Sequence, residues 1–268
     1  MEKCINTKHR HITFTIPNDL NMWFFDDLLT KNILFDSVCK TLYSIVNGKV
    51  KNKYKYKLIP GFFAFLHTFG RPLNFNPHIH VIIVEGLIDK NHNFKKYNYF
   101  NYDALSKRFM KILLDNMEKH FGKKSFKDTK NKMYLKYKNV FYINNKLEDN
   151  GYKFNSIKEL IRYVTRYCSR PVIAESRILK YDGENVTWFY SDHTHEEYHE
   201  ITESTESFIT KILRHLLPSN YKSIRYYGFY NKSNKLCDKL ITIIKKLISL
   251  KFSYFFLRNI LLLILTFN

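Results

Sequence analysis

The 268-residue sequence is short of acid. Asp and Glu number 24 against 44 Lys and Arg, which leaves a formal net charge of +20. That balance points to a polyanionic partner, nucleic acid first and an anionic membrane second. Lysine outweighs arginine, and Asn, Ile, Tyr and Phe are abundant. An AT-rich genome produces that bias without selection for binding, so charge alone does not decide the partner.

Cysteine is scarce too. Cys4, Cys39, Cys168 and Cys237 include no Cys-x-x-Cys pair. This excludes a self-contained zinc knuckle and a disulfide framework, and it fits a reducing, cytoplasmic setting. The amino-terminal MEKCINTKHRH is polar and shows no signal peptide. The apolar carboxyl-terminal stretch FSYFFLRNILLLILTFN is split by Arg258. Neither half reaches the ~20 residues of a membrane span. It reads as a core-packing helix, with an isolated interfacial helix as the alternative. No internal repeat is visible.

Hydrophobic residues make up 45% of the chain and aromatics 17%, which excludes a disordered polypeptide. HITFTIP (11–17) alternates and stops at Pro17, as a strand does. Residues 19–46 carry a helical apolar pattern. GFFAFLHTFG (61–70) and HIHVIIVEG (78–86) read as two strands, the second starting at Pro77. DALSKRFMKILLDNMEKHFG (103–122) is a helix with Gly122 as its stop. KKSFKDTKNKMYLKYKN (123–139) is basic and exposed, and VFYI (140–143) is a short strand candidate. SIKELIRYVTRYCSRP (156–171) opens with the capping pair Ser156 and Glu159 and ends at Pro171. Then come a hairpin over 186–202, a capped helix over 204–218 and a strand over 223–230. Helices and strands mix without a βαβ repeat. The fold class is therefore α+β, with a central antiparallel sheet and flanking helices. The expected organisation is one domain over 1–235 and a basic, then apolar, helical tail over 236–268.

In NFNPHIHVIIVEG, His78 and His80 stand two apart, so on a strand they point to one face. Two imidazoles a few ångströms apart suit one divalent ion. They also suit two satisfied polar residues, since His9/His11 and His193/His195 repeat the spacing. Context separates them. His9 and His11 flank Arg10, a cation ill-placed beside a metal, and the other pair sits in the polar SDHTHEE. A metal site needs further ligands. His67, at the end of the preceding strand, is the third candidate, or else a hairpin-end histidine bonded to backbone.

Tyr163 and Tyr167 lie one turn apart on a flank of the 156–170 helix. Arg162, Arg166 and Arg170 occupy its outer face. Phenols beside guanidiniums make a phosphate-handling surface, or else an ordinary amphipathic helix whose tyrosines cover the core rim. The two signals strengthen each other. A phenol with a reference pKa near ~10 is a poor nucleophile and needs a cation at the phosphodiester it attacks. A covalent phosphotyrosine would conserve the energy of the cleaved bond.

The strings KHRHITFTIP, LHTFGRPLNFNPHIHVIIVEG, YVTRYCSRPVIAESRILKYDG and IRYYGFY resemble the two-tyrosine HUH transposases of rolling-circle insertion sequences. The resemblance runs in the expected order over about 8–268. It implies a single-strand DNA nickase and ligase built on a ferredoxin- or RRM-like antiparallel sheet. His78 and His80 match the family's histidine pair, and Tyr163 and Tyr167 its Tyr-x-x-x-Tyr nucleophiles. His67 lies in the segment that precedes the pair. The implied ion is Mg²⁺ or Mn²⁺. The implied partners are the single-stranded ends of a mobile element, with no membrane, in a cytoplasmic, nucleoid-associated setting. Arg170, Arg177 and Arg225 fall in matching motifs, and their charge suggests DNA contact. Relatives carry a cysteine-rich zinc-binding segment before HRHITFTIP and continue beyond LLLILTFN. The chain is therefore expected to be truncated at both ends. The competing expectation is a catalytically inactive DNA-binding remnant.

Overall fold

The computed structural model describes residues 8–25, 28–47, 58–89, 94–144, 153–154, 159, 162, 171–191 and 197–231. The expected tail over 236–268 lies outside them. The chain divides into two compact units. One comprises Met1–His67, Pro77–Leu160 and Lys222–Leu240, and the other Thr68–Asn76, Ile161–Tyr221 and Ile241–Asn268.

The first unit is built on a seven-stranded sheet. Strand β1 (His9–Thr15) is followed by a 3₁₀ turn (Asn18–Phe24) and helix α1 (Leu28–Asn47). Then come β2 (Leu58–Phe69), β3 (Phe75–Asp89), β4 (Phe94–Lys96), α2 (Tyr102–Phe121), α3 (Lys123–Tyr137), β5 (Ile143–Asn144) and β6 (Lys153–Phe154). Along the sheet the order is β10-β2-β3-β1-β5, where β10 is Ile224–Gly228; β4 pairs with β3 and β6 with β1. Strand β1 pairs antiparallel with β3, and β10 antiparallel with β2. The class is α+β, as the sequence suggests.

Alternation gives the sheet two distinct faces. One carries Ile12, Phe14, Phe62, Ile79, Val81 and Ile83, all buried. Helices α1 and α2 cover it: Phe109 meets Phe14 edge-on at 5.1 Å, and Tyr43 of α1 reaches Phe62 at 6.3 Å. In α2, Leu105, Phe109, Met110, Leu113, Leu114 and Met117 form the buried stripe. The Asn101 side chain caps its start by accepting from the Ala104 N–H at 2.9 Å. Gly122 ends it at φ 86°, a conformation that suits glycine. The opposite face carries His9, His11, Thr13, Phe63, Phe65, His67, His78 and His80.

Two expectations change, and a third segment gains a structure. The 19–46 segment is not one helix, because the 3₁₀ turn over Asn18–Phe24 precedes α1. Strand β3 begins at Phe75, so Pro77 lies inside it, one residue beyond the last β1 pair, Thr15 with His78. There it interrupts no bond to β1. The lysine-rich 123–139 segment is largely helix α3, anchored by buried Phe126 and Met133. Phe126 packs edge-on against Trp23 at 5.1 Å.

Beneath the sheet, Arg10 of β1 and Glu85 of β3 form a buried ion pair at 2.6 Å. Arg10 also donates to the Tyr102 hydroxyl and the Asn98 carbonyl, both at 3.2 Å. Burial opposes the Arg10 charge, but the bonds to Tyr102 and Glu85 outweigh it and leave its pKa raised. Removing one partner strands the other charge away from water. Glu85→Gln is expected to lower stability by about 3–5 kcal/mol in urea denaturation. Arg10→Met combined with Glu85→Leu should recover most of that loss, which separates an ionic clamp from simple packing.

The second unit contains a three-stranded antiparallel sheet of β7 (Ile178–Tyr181), β8 (Asn185–Ser191) and β9 (Tyr198–Ser204). The β8–β9 pair is the expected hairpin. It leads into the helix Thr205–Leu213, whose N-cap Ser204 accepts from the Ser207 N–H at 3.2 Å. Leu73, Val186, Trp188 and Phe208 form the core. His215 lies between Phe69 and Phe75 and donates from Nε2 to the Leu73 carbonyl at 3.0 Å. Burial pushes its pKa down; the Leu73 bond opposes this and the Arg214 charge adds to it. The unfolded chain therefore binds this proton more tightly. His215's contribution should be complete above about pH 6.5 and lost as pH falls through that value toward the lower folded pKa. Unfolding temperatures measured across this range should show the fall, and His215→Gln should flatten it.

Candidate metal centre

The three histidines are positioned by two strands. His67 is two residues from the end of β2, and His78 and His80 lie near the start of β3, the neighbouring strand. Alternation turns His78 and His80 to the same side as His67. One nitrogen from each ring lies within 4.8 Å of the others. The rings of His67 and His80 are 4.6 Å apart, those of His78 and His80 4.8 Å, and those of His67 and His78 5.5 Å, all steeply inclined. Metal–nitrogen bonds of ~2.1 Å put two ligands at most about 4.2 Å apart. The cluster is thus slightly open, and small side-chain rotations would close it. Three nitrogens with no carboxylate among them form a donor set able to hold a divalent ion.

The cluster has an inner and an outer side. His80 is buried, while His67 and His78 are half-buried. On the inner side the His80 ring lies near-parallel to Phe65 at 5.1 Å and meets the His11 ring edge to edge, their centroids 5.0 Å apart. His80 Nδ1 lies 2.8 Å from His11 Nε2 and 3.1 Å from Thr13 Oγ1. The β1–β3 register pairs Thr13 with His80. Neither His11 nor Thr13 is singled out by the sequence reading, which set His11 aside because of Arg10. The strand resolves that objection, since Arg10 points to the opposite face and binds Glu85. Strict alternation in HRHITFT was the signal that could have found them.

The remaining expected site residues are placed unevenly. Tyr163, Tyr167, Arg166 and Arg170 lie outside the described residues, while Arg162 is helical and exposed. Arg177 belongs to the second unit, where it donates to the Phe189 carbonyl at 2.7 Å and the Arg71 carbonyl at 2.8 Å and lies over Trp188. Arg225 is on the helix-covered face of the first unit's sheet, above the Phe35 ring at 4.1 Å and bonded to Asn32. Both guanidiniums thus have intramolecular partners.

The chain matches, over residues 61–237, the Y2_Tnp family, described as "Putative transposase". It belongs to that transposase family. The transposase for insertion sequence element IS801 of Pseudomonas savastanoi pv. phaseolicola is 26% identical over 247 residues, covering 87% of this chain and 56% of the relative. A Sinorhizobium fredii protein named "Putative transposase y4qJ" is 27% identical over 238 residues, covering 84% and 59% respectively. The chain thus spans somewhat more than half the length of these relatives. No solved structure matches it. Among the described residues no helix is long and apolar enough to cross a membrane.

If the three imidazoles share an ion, Mn²⁺ should stabilise the fold by mass action, by about 2.7 kcal/mol at one hundred times its Kd. Thermal unfolding with and without Mn²⁺ measures this. His78→Ala with His80→Ala should remove the Mn²⁺-dependent shift, while His193→Ala with His195→Ala should retain it.

Proposed function

We propose that this transposase nicks and rejoins single-stranded DNA at the ends of a mobile element through 5′-phosphotyrosine intermediates. The observation that carries this reading is the convergence of His67, His78 and His80 on one sheet face in a chain of this family. Tyr163 and Tyr167 are the proposed nucleophiles. One phenol loses its proton and its oxygen attacks phosphorus. The P–O3′ bond breaks, the 3′ oxygen takes up a proton, and the 5′ phosphate stays esterified to the tyrosine. Attack by a 3′ hydroxyl on that ester reverses the step and joins strands without a nucleotide cofactor. Two tyrosines let two strands be held in one cycle.

His67, His78 and His80 would hold the divalent ion, which supplies positive charge beside the scissile phosphate when bound. Imidazole nitrogen suits first-row transition ions better than Mg²⁺, which prefers oxygen and gives up water reluctantly. Of the two expected ions, Mn²⁺ is the better match. Lysine and arginine supply most of the DNA affinity through phosphate contacts, which makes binding salt-dependent. A DNA substrate would place the protein with the nucleoid.

Labelled single-stranded DNA from element ends, incubated with the protein and Mn²⁺, should yield a covalent adduct. Tyr163→Phe and Tyr167→Phe should each reduce it, and together abolish it, with peptide mapping locating the phosphate on one of the two. An adduct surviving in the double variant would move the nucleophile elsewhere. DNA binding without any adduct under either ion would favour the non-catalytic remnant.

A further inference from the structure

We propose that His11 and Thr13 are positioning residues for this centre, locking the His80 ring with Nδ1 protonated and Nε2 presented as the ligand nitrogen. The proposal rests on His67, His78 and His80 being metal ligands. A neutral imidazole carries one proton and one in-plane lone pair. His80 Nδ1 is engaged by His11 Nε2 at 2.8 Å and by Thr13 Oγ1 at 3.1 Å. A nitrogen so engaged cannot also ligate an ion, so ligation falls to Nε2.

Two tautomers satisfy the His11–His80 bond. In one, His11 donates from Nε2, and the His80 proton then sits on its own Nε2, where it blocks coordination. In the other, His80 donates from Nδ1 to His11 Nε2, and His11 keeps its proton on Nδ1. Only the second leaves the His80 Nε2 lone pair for a metal. The Thr13 hydroxyl, 3.4 Å from His11 Nε2, lies near both nitrogens and can accept alongside His11.

Burial gives this contact its weight. His11 and His80 are 5% and 7% exposed, so water substitutes poorly for a lost partner. Phe65 packs near-parallel to the His80 ring at 5.1 Å and limits its rotation. Partners of this kind hold ligand histidines in many metal sites, and their loss costs roughly 10–100-fold in metal affinity. Here the partner is itself an imidazole. A neutral acceptor orients the ring without adding negative charge to a centre that must accept a phosphate.

The test is Mn²⁺ binding to the full chain without DNA, followed by the electron paramagnetic resonance of the free ion. His11→Phe keeps an aromatic ring of similar size but removes the acceptor. It should weaken binding by about 10–100-fold in protein that stays folded at the temperature of the titration. His11→Gln, whose side-chain carbonyl can accept the Nδ1 proton, should recover part of that affinity. Thr13→Val should weaken binding by a smaller factor. Wild-type affinity in His11→Phe would overturn the proposal and leave the metal centre standing. If His11→Phe does not fold, wild-type affinity in both His11→Gln and Thr13→Val would overturn it. A wild-type chain that binds no Mn²⁺ would remove the metal centre and this proposal together.

Discussion

The antiparallel register of β1 on β3 is the constraint on which the rest depends. It sets Thr13 against His80 and Thr15 against His78, and on the reverse face it brings Arg10 to Glu85. A slip of one residue would exchange the faces. The guanidinium would then lie beside the imidazoles, and His11 and Thr13 would turn toward the helices. The Arg10–Glu85 pair resists that slip because a displaced register leaves a buried charge without its partner. A Glu85 N–H bond to the Lys8 carbonyl at 2.8 Å continues the pairing at the same end. Buried ion pairs contribute little net stability compared with apolar packing. Their stronger effect is to penalise alternatives, and here the alternative would dismantle the histidine cluster.

Much of this arrangement was legible in the sequence. Two strands carrying His67 and the His78/His80 pair, joined by a short loop, followed from apolar runs bounded by Gly70 and Pro77. Helix α2 was equally clear, since Leu105, Phe109, Leu113 and Met117, all buried, recur at helical spacing before Gly122. What escaped reading has physical causes. Helix α3 buries only Phe126 and Met133, seven residues apart among lysines. That stripe is too thin to mark a helix, and only packing against Trp23 and α2 gives it a hydrophobic purpose. His11 escaped for a different reason. Adjacency to Arg10 in the chain suggests adjacency in space, whereas a strand sends neighbouring side chains to opposite faces. The partnership of His11 with His80 spans 69 positions, and no local pattern encodes it.

Arg177 and Arg225 show that charge alone does not assign a DNA contact. Both fall in motif strings and carry the sign expected of one. Yet Arg177 donates to two backbone carbonyls, and Arg225 lies on Phe35 with a bond to Asn32. A guanidinium offers five donors on a flat, weakly hydrated group, so it often fastens segments of its own chain. In a sequence with this cationic surplus, position in a motif does not distinguish an arginine that braces the fold from one that meets phosphate.

The histidine cluster also has a direction. His80, backed by His11, Thr13 and Phe65, is the closed end, and half-buried His67 and His78 form the open one. Structural metal sites surround the ion with protein ligands, whereas catalytic sites leave positions for water or substrate. If they hold an ion as proposed, three imidazoles, one anchored from behind and two nearer solvent, would have the second character. A structural site would also have less need of a neutral, buried partner behind one ligand, since four protein ligands restrain one another. With only three, the orientation of each ring decides whether the donor set closes on an ion. On the proposed reading, the strand that supplies that partner is as much a part of the centre as the strands that supply the ligands.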